Sequence, residues 1–345
     1  MKRLLNWTLP LAFMATVAVL VGCEGDEGPA GPPGTASCMN CHTDDYNMAN
    51  YILAVQTEYS ASQHRNAASF VRRGSESSPT CGHCHTTEGY QHFVATGEEI
   101  DVETSSPIGC FACHAPHTNE DFSLRKQGPT DMWVGGQYDK QESNTCAMCH
   151  QARSPVPAIT DVATAITSSR WGPHHGPQSN ILAGIGAYEF DGPYSKNHGH
   201  NNIANGCVNC HMAEVAQDAL AGGHTFAINY EASGGIRVNG KGCVACHGDQ
   251  TDASLTGFVD DAQEEFEEGL HALRDALIAL GWVQANGELV NPGNIPATEE
   301  ARGAVWNFLL LDHDLSVSVH NPAFANAVLE ATMDWVDIQR RIAGL

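Results

Sequence analysis

Residues 207–211 read Cys-Val-Asn-Cys-His, and this pattern of two cysteines three positions apart with a histidine directly after the second occurs six times in the 345-residue chain. In chain order, motifs 1 to 6 are Cys38/Cys41/His42, Cys81/Cys84/His85, Cys110/Cys113/His114, Cys146/Cys149/His150, Cys207/Cys210/His211 and Cys243/Cys246/His247. Histidine is 18 of 345 residues, so chance would place it after all six pairs with a likelihood on the order of 10⁻⁸. The repetition indicates one chemical role carried out six times.

The pattern is the attachment signature of c-type haem. Two thiols three positions apart lie on one face of a helical turn, where each can form a thioether with a haem vinyl group. The histidine that follows then lies under the iron as its proximal axial ligand. Zinc knuckles, thioredoxin-like dithiols and disulfide frameworks also use paired cysteines, but none of them requires this histidine. The sequence therefore predicts six covalently bound haem c groups, each holding iron.

The N-terminal 22 residues have the pattern of a secretory signal peptide. Lys2 and Arg3 precede a mostly apolar run, Leu4–Val21, and the run ends directly before Gly22-Cys23. Leu20-Val21-Gly22-Cys23 resembles the lipobox of bacterial lipoproteins, in which the cysteine is acylated and becomes the mature N-terminus. An uncleaved membrane anchor is the alternative, but polar residues interrupt the run and it is short for a full span. We expect an exported protein, lipid-anchored through Cys23 to the outer membrane and facing the periplasm or the cell surface.

The mature chain divides into three parts by composition. Residues 23–37 have glycine at every third position together with proline, which predicts an extended tether without a core. Residues 38–257 contain all six motifs, and we expect this hexahaem domain to consist of short helices and irregular coil around stacked haems. The fold class predicted for the whole chain is mainly α with little β-sheet.

Residues 258–345 have the character of a helical region that packs on the haems. Phe266, Leu270, Leu273, Leu277 and Leu280 alternate spacings of four and three, which predicts an amphipathic helix with an apolar packing face. Two further helices are predicted over residues 298–311 and 322–342, the second starting after an Asn321 cap.

The sixth coordination position of each iron separates an electron carrier from a catalyst, because a closed site transfers electrons and an open one binds small molecules. Twelve histidines remain outside the motifs, twice the number that six bis-histidine irons need. Methionines beside the motifs are disfavoured as ligands, since proximity in sequence does not direct a thioether to iron.

Beyond Ser37 the chain resembles the multihaem c-type cytochromes of metal-reducing bacteria. Segments such as Ser62-Gln63-His64 and Trp171-Gly172-Pro173-His174 resemble the distal-ligand segments of that group. The resemblance implies these distal ligands: His64, His117, His174, His198, His224 and His320. The substitutes that stay open are His83, His92, His175, His200, His271 and His313.

The same resemblance implies an electron-transfer cytochrome that moves electrons across or outside the outer membrane to a periplasmic or extracellular acceptor. Its expected partners are redox partner cytochromes or extracellular metal acceptors. The resemblance also leaves open the assembly of copies of the chain into an oligomer or filament. The alternative is a multihaem oxidoreductase with one open haem that reduces a small nitrogen or sulfur oxyanion. Such enzymes typically have lysine in place of the motif histidine at the catalytic haem, and all six motifs here end in histidine. No catalytic residue is predicted.

Net charge restricts the partners further. The formal charge is −23, and it becomes −25 when Lys2 and Arg3 leave with the signal peptide. An acidic surface favours cationic partners or metal ions and repels anions, so nucleic acid is not expected as a ligand.

Overall fold

The computed structural model describes residues 46–72, 81–119, 121–153, 157–190, 192–196, 199–216, 220–290 and 292–345. Three groups of predicted residues lie outside this part of the chain: Cys23, motif 1 (Cys38, Cys41 and His42) and His198. All described residues belong to one unit, residues 43–345.

The described residues are mainly helical. In chain order the helices are α1 (Tyr46–Ala61), α2 (Gln63–Asn66), α3 (Gly82–His85), α4 (Thr87–Thr96), α5 (Cys110–Cys113), α6 (Pro116–Asn119), α7 (Asn144–Ala147), α8 (Pro157–Thr160), α9 (Gln178–Ala183), α10 (Gly206–His211), α11 (Val244–His247), α12 (Asp252–Ala279), α13 (Glu299–Asp314) and α14 (Pro322–Ala343). Single 3-10 turns cover Ala68–Val71, Gln141–Ser143, His200–Asn202, Gly223–Thr225, Gly240–Gly242 and Pro292–Asn294. Motifs 2 to 6 each lie in or at one short helix, namely α3, α5, α7, α10 and α11, as predicted.

Strand is confined, within the described residues, to two antiparallel ribbons of two strands each. β1 (Thr130–Asp131) pairs with β2 (Gln137–Tyr138), with Thr130 opposite Tyr138. β3 (Asn229–Ala232) pairs with β4 (Gly235–Val238), with Asn229 opposite Val238. The second ribbon is followed directly by the 3-10 turn that precedes motif 6, so it positions that motif.

The three long C-terminal helices pack around one apolar core. Phe266, Leu273 and Leu277 of α12 are buried in one cluster with Trp306 of α13 and Val328 of α14. The apolar residues that alternate spacings of four and three on α12 therefore form a buried packing face, as predicted. Residues three and four apart share one side of a helix. Side-chain caps begin all three helices: Thr251, Thr298 and, as predicted, Asn321, whose side chain accepts the backbone N–H of Phe324 at 3.3 Å.

This core extends beyond the C-terminal region. The buried Arg302 guanidinium donates to the backbone carbonyls of Asp161 and Thr164, and the Trp306 indole N–H donates to the Gly186 carbonyl at 2.8 Å. Ile181 of α9 joins the same apolar cluster. Helix-to-helix packing therefore buries this part of the chain. No helix in the described part of the chain is both long and apolar enough to cross a bilayer.

Gly303 marks the tightest contact of this core. A Cβ atom there would lie 2.3 Å from Cγ of Tyr188, so the ring packs directly on the α13 backbone. We expect Gly303→Ala to lower the free energy of unfolding by about 1–3 kcal/mol through overpacking. Gly257→Ala on α12, where nothing lies within 4 Å, should raise it by about 0.5–1 kcal/mol. Denaturant unfolding at equal haem content measures both, and equal stability of the two variants would contradict the contact.

Candidate haem sites

A single large cavity connects the five described motifs. Its volume is about 2700 Å³, and His85, His114, His150, His211 and His247 all line it. Pockets for one small ligand typically have volumes of about 300–1,000 Å³. The cavity is therefore large enough for several cofactors that lie next to each other.

Inside this cavity each of the five described motif histidines faces one histidine from elsewhere in the chain. The ring centroids are 6.4 Å apart for His85–His174, 6.2 Å for His114–His224, 6.1 Å for His150–His64, 6.3 Å for His211–His320 and 6.1 Å for His247–His200. Metal–imidazole bonds are about 2.0–2.1 Å long, so two rings on opposite sides of one metal have centroids roughly 6 Å apart. The five separations fit one axially ligated iron in each gap.

Contacts between other histidines do not have this spacing. The centroids of His174 and His175 are 5.6 Å apart, and those of His175 and His313 are 4.2 Å apart. None of these three is a motif histidine. Within the described residues, the separation of 6.1–6.4 Å therefore occurs at the five motif pairs and not at these two contacts.

Hydrogen bonds at Nδ1 orient several of the paired rings. Nδ1 of His211 lies 3.0 Å from the Phe226 carbonyl, and Nδ1 of His150 lies 3.1 Å from Oε1 of Gln178. Nδ1 of His200 lies 2.5 Å from the Val319 carbonyl. An N–H that donates from Nδ1 leaves Nε2 without a proton and fixes the ring, which is the usual outer-shell arrangement of a metal-binding histidine.

Burial favours the neutral form of two of the paired rings, His64 and His174. It lowers the pKa of His64 to about 4, with a further contribution from His150. It also lowers the pKa of His174 to about 4, together with Arg153 and the neighbouring histidines. An imidazole must be neutral to bind a metal, so the protein interior already favours the ligating form.

The backbone around two of the paired histidines is strained. His174 itself has φ 69° and Phe226, two residues after His224, has φ 56°, although neither residue is glycine. Left-handed backbone at such residues costs on the order of 1–3 kcal/mol each and persists where the surrounding structure requires it. His64, by contrast, lies on the short helix α2, which Ser62 caps by accepting the Arg65 N–H, and its ring packs 4.8 Å from that of Phe226.

The motif helices contact each other in series. Motifs 2 and 4 meet where Cys84 Sγ lies 3.9 Å from the Met148 carbonyl and Cys149 Sγ lies 3.7 Å from the His83 carbonyl. Motif 3 is held beside them by α4, since Gln91 donates to the carbonyl of Phe111 at 2.8 Å.

Motif 5 joins motif 4 to motif 6. The Val208 N–H donates to the Ser143 hydroxyl at 3.1 Å, which places α10 against the turn that begins motif 4. On the other side, Gly242 lies so close to motif 5 that an added Cβ would be 3.0 Å from the Asn209 carbonyl oxygen and from Cα of Cys210. The attachment points of motifs 4, 5 and 6 therefore form a continuous series.

Four of the six predicted distal ligands face a described motif histidine: His64, His174, His224 and His320. His117 lies instead beside Phe111, with centroids 6.1 Å apart, and His198 is outside the described residues. His200, one of the open substitutes, faces His247. In the sequence, His198 and His200 lie two positions apart in the same segment. That segment alone does not indicate which of the two histidines pairs with a motif histidine.

Similarity to known proteins agrees with this geometry. Residues 188–341, less than half of the chain, match the cytochrome c552 family. Among solved structures, the outer cell wall cytochrome OcwA has a TM-score of 0.53 and 19% sequence identity, over 82% of this chain and 50% of OcwA. The chain has the fold of a multihaem cytochrome. It spans about half the length of OcwA.

Two further structures are similar to this chain. The cytochrome c nitrite reductase of Desulfovibrio desulfuricans has a TM-score of 0.46 and 17% identity, over 80% of this chain and 69% of that one. The undecahaem cytochrome from the S-layer of Carboxydothermus ferrireducens has a TM-score of 0.44 and 17% identity, over 83% of this chain and 40% of that one. No curated protein matches this chain at a significant level.

Proposed function

We propose that the protein is a multihaem cytochrome that binds six c-type haems and transfers electrons along them. The observation that carries the proposal is the set of five motif histidines, each facing a second histidine at 6.1–6.4 Å. The proposed axial pairs are His85/His174, His114/His224, His150/His64, His211/His320 and His247/His200. A bound haem iron supplies one-electron chemistry between Fe(III) and Fe(II), and the chain supplies two neutral imidazoles, two thioether positions and an apolar cavity.

The sixth haem is proposed on motif 1 from the sequence alone. Cys38, Cys41 and His42 repeat the pattern of the other five motifs, so the same chemistry is assigned to them. His117 and His198 stay as the predicted candidates for its distal ligand, because the other four predicted distal ligands are proposed for described motifs.

Contact between successive motif helices supports multistep electron transfer through the chain. Motifs 2, 4, 5 and 6 touch in that order, and motif 3 is attached beside motif 2 through α4. Cys110 of motif 3 and Cys246 of motif 6 are exposed, whereas the other described motif cysteines are partly buried. We assign electron entry and exit to these two ends, where a redox partner can approach.

The proposed location follows from the leader and the charge. Residues 1–22 are assigned to a cleaved signal peptide, Cys23 to the lipid anchor and residues 23–37 to the tether. The anchor holds the cytochrome on the outer membrane, and the net charge of −25 in the mature chain favours cationic redox partners or metal ions as acceptors.

Two other functions are less well supported. A reductase needs an open iron, and each motif histidine in the described residues faces a second histidine. A disulfide framework is compatible with the thiol contacts Cys84/Cys149 and Cys146/Cys207. It gives no reason, however, for five histidine pairs with the separation that a metal requires.

Intact mass spectrometry of the purified mature protein, combined with low-temperature magnetic spectroscopy, tests the proposal. We expect six covalent haem additions and an acylated N-terminal Cys23 in the mass, and only low-spin bis-histidine iron in the spectra. A product without covalent porphyrin would overturn the haem assignment, and an unmodified N-terminus would overturn the anchor. High-spin iron that binds nitrite, sulfite or hydroxylamine would favour the reductase.

A further inference from the structure

One of the five histidine pairs has a buried carboxylate directly behind it. Asp314, the last residue of α13, is 2% exposed, and its Oδ1 accepts the Nδ1–H of His320 at 2.7 Å. Its second oxygen accepts the hydroxyl of Ser316, and that hydroxyl in turn accepts the backbone N–H of His320 at 3.1 Å. Carboxylate, hydroxyl and imidazole thus form a closed hydrogen-bonded group that fixes His320.

The loop that builds this group is strained. Leu315, Val317 and Ser318 have φ values of 60°, 49° and 75°, so three residues without glycine's freedom adopt the left-handed region between α13 and α14. Strain of this kind persists where the rest of the structure imposes it and often accompanies function. Here the loop returns the chain so that His320 reaches both Asp314 and the ring of His211.

Three of the other described pairs have different groups at Nδ1. Backbone carbonyls of Val319 and Phe122 face His200 and His114, and an amide oxygen of Gln178 faces His150. Glu58 Oε2 is 3.7 Å from Nδ1 of His224 and instead accepts the His224 backbone N–H at 2.9 Å. A carboxylate at 2.7 Å from Nδ1 therefore distinguishes the His211/His320 pair from these four rings.

We propose that Asp314 is a positioning residue that gives the iron between His211 and His320 the lowest reduction potential among the five described centres. This inference rests on the proposed ligation by His211 and His320. A carboxylate that accepts the Nδ1 proton increases the electron donation of the imidazole through Nε2. Its negative charge, buried beside the iron, also stabilises Fe(III) relative to Fe(II), so both effects lower the potential.

Potentiometric titration of the purified holoprotein, followed by optical and magnetic spectra, tests this role with Asp314→Asn. Asparagine keeps the size and an accepting oxygen but removes the charge. We expect the Fe(III)/Fe(II) equilibrium of one haem to shift about tenfold toward Fe(II), or about 59 mV for a one-electron couple. Haem content and the low-spin state should stay unchanged, while the spectroscopic signature of that one haem moves.

Two further variants make the test specific. Asp312→Asn removes a charge two residues earlier on the same helix, from a side chain 44% exposed, and should leave the potentials unchanged. Ser316→Ala frees the carboxylate from its hydroxyl partner and should shift the same haem toward Fe(III), which keeps the proposal testable if Asp314→Asn fails to fold. Equal potentials for Asp314→Asn and Asp312→Asn, or no shift with Ser316→Ala, would overturn the inference.

His320→Ala separates this inference from the proposed function. If His320→Ala contains one high-spin haem and Asp314→Asn shows no change in reduction potential, the proposed ligation by His320 is supported and only the role of Asp314 is refuted. Six low-spin haems in His320→Ala would instead overturn the ligation itself.

Discussion

A Cys207→Ala/Cys210→Ala protein is expected to lose one haem and to break electron exchange between the haems on either side of motif 5. Motif 5 contacts motif 4 through Val208 and Ser143, and it contacts motif 6 at Gly242. Without its haem, electrons would have to cross between motifs 4 and 6 without an intermediate centre. Exchange would then depend on collisions between molecules.

Rapid mixing with less than one equivalent of reductant measures this effect. In the unmodified protein, redistribution of electrons among the haems should be first-order and independent of protein concentration. In the variant, a slow phase should appear whose rate rises with concentration. At ~1 μM protein, encounter rates of about 10⁵–10⁷ M⁻¹s⁻¹ limit that phase to about 0.1–10 s⁻¹.

The matched control is Cys243→Ala/Cys246→Ala. This variant also lacks one haem, but motif 6 lies at the end of the described series, so motifs 2 to 5 stay connected. Its remaining haems should still redistribute electrons at a rate independent of concentration. The same behaviour in the Cys207→Ala/Cys210→Ala protein would refute the assigned order of the motifs.

The short motif helices and the long helices could be predicted from the sequence because their signals are local. Five consecutive residues contain both thiols and the proximal imidazole of a motif, as at Cys207–His211. The apolar spacing from Phe266 to Leu277 requires only the helical period, and α12 buries those residues as expected. No distant part of the chain has to be known for either prediction.

The pairing of distal histidines could not be predicted, because each pair joins residues far apart in the chain. Nothing near His224 indicates that it faces His114 and not another motif histidine. The choice of His200 depends on the 3-10 turn His200–Asn202 and on the Val319 carbonyl, which belongs to the loop after α13. The same loop contains His320, so the C-terminal helices position the proposed distal ligands of two motifs.

The strained backbone conformations could not be predicted from the sequence either. Left-handed φ values are expected at glycine, whereas here they occur at His174, Phe226 and Leu315. Only the packed structure shows that these residues are forced into that conformation. The surrounding packed structure, and not local preference, therefore determines the backbone at these residues.

Two adjacent histidines are expected to respond in opposite ways to substitution. The ring of His174 faces His85 at 6.4 Å, whereas the ring of His175 packs against His313 at 4.2 Å. His174→Gly should convert one of the six haem irons from low-spin to high-spin, because its distal ligand is lost. His175→Gly should leave all of them low-spin.

Glycine is the right replacement at position 174, because the native φ of 69° suits glycine better than alanine and the backbone strain is relieved. Loss of the low-spin signal then reports the missing ligand and not a distorted loop. Magnetic spectroscopy counts the high-spin iron, and reduced His174→Gly protein should bind one carbon monoxide molecule. Added imidazole should restore the low-spin state, since it can replace the lost ring in the cavity. If His175→Gly produced the high-spin iron instead, the ligand of motif 2 would be the neighbouring residue and the assigned pair would be wrong.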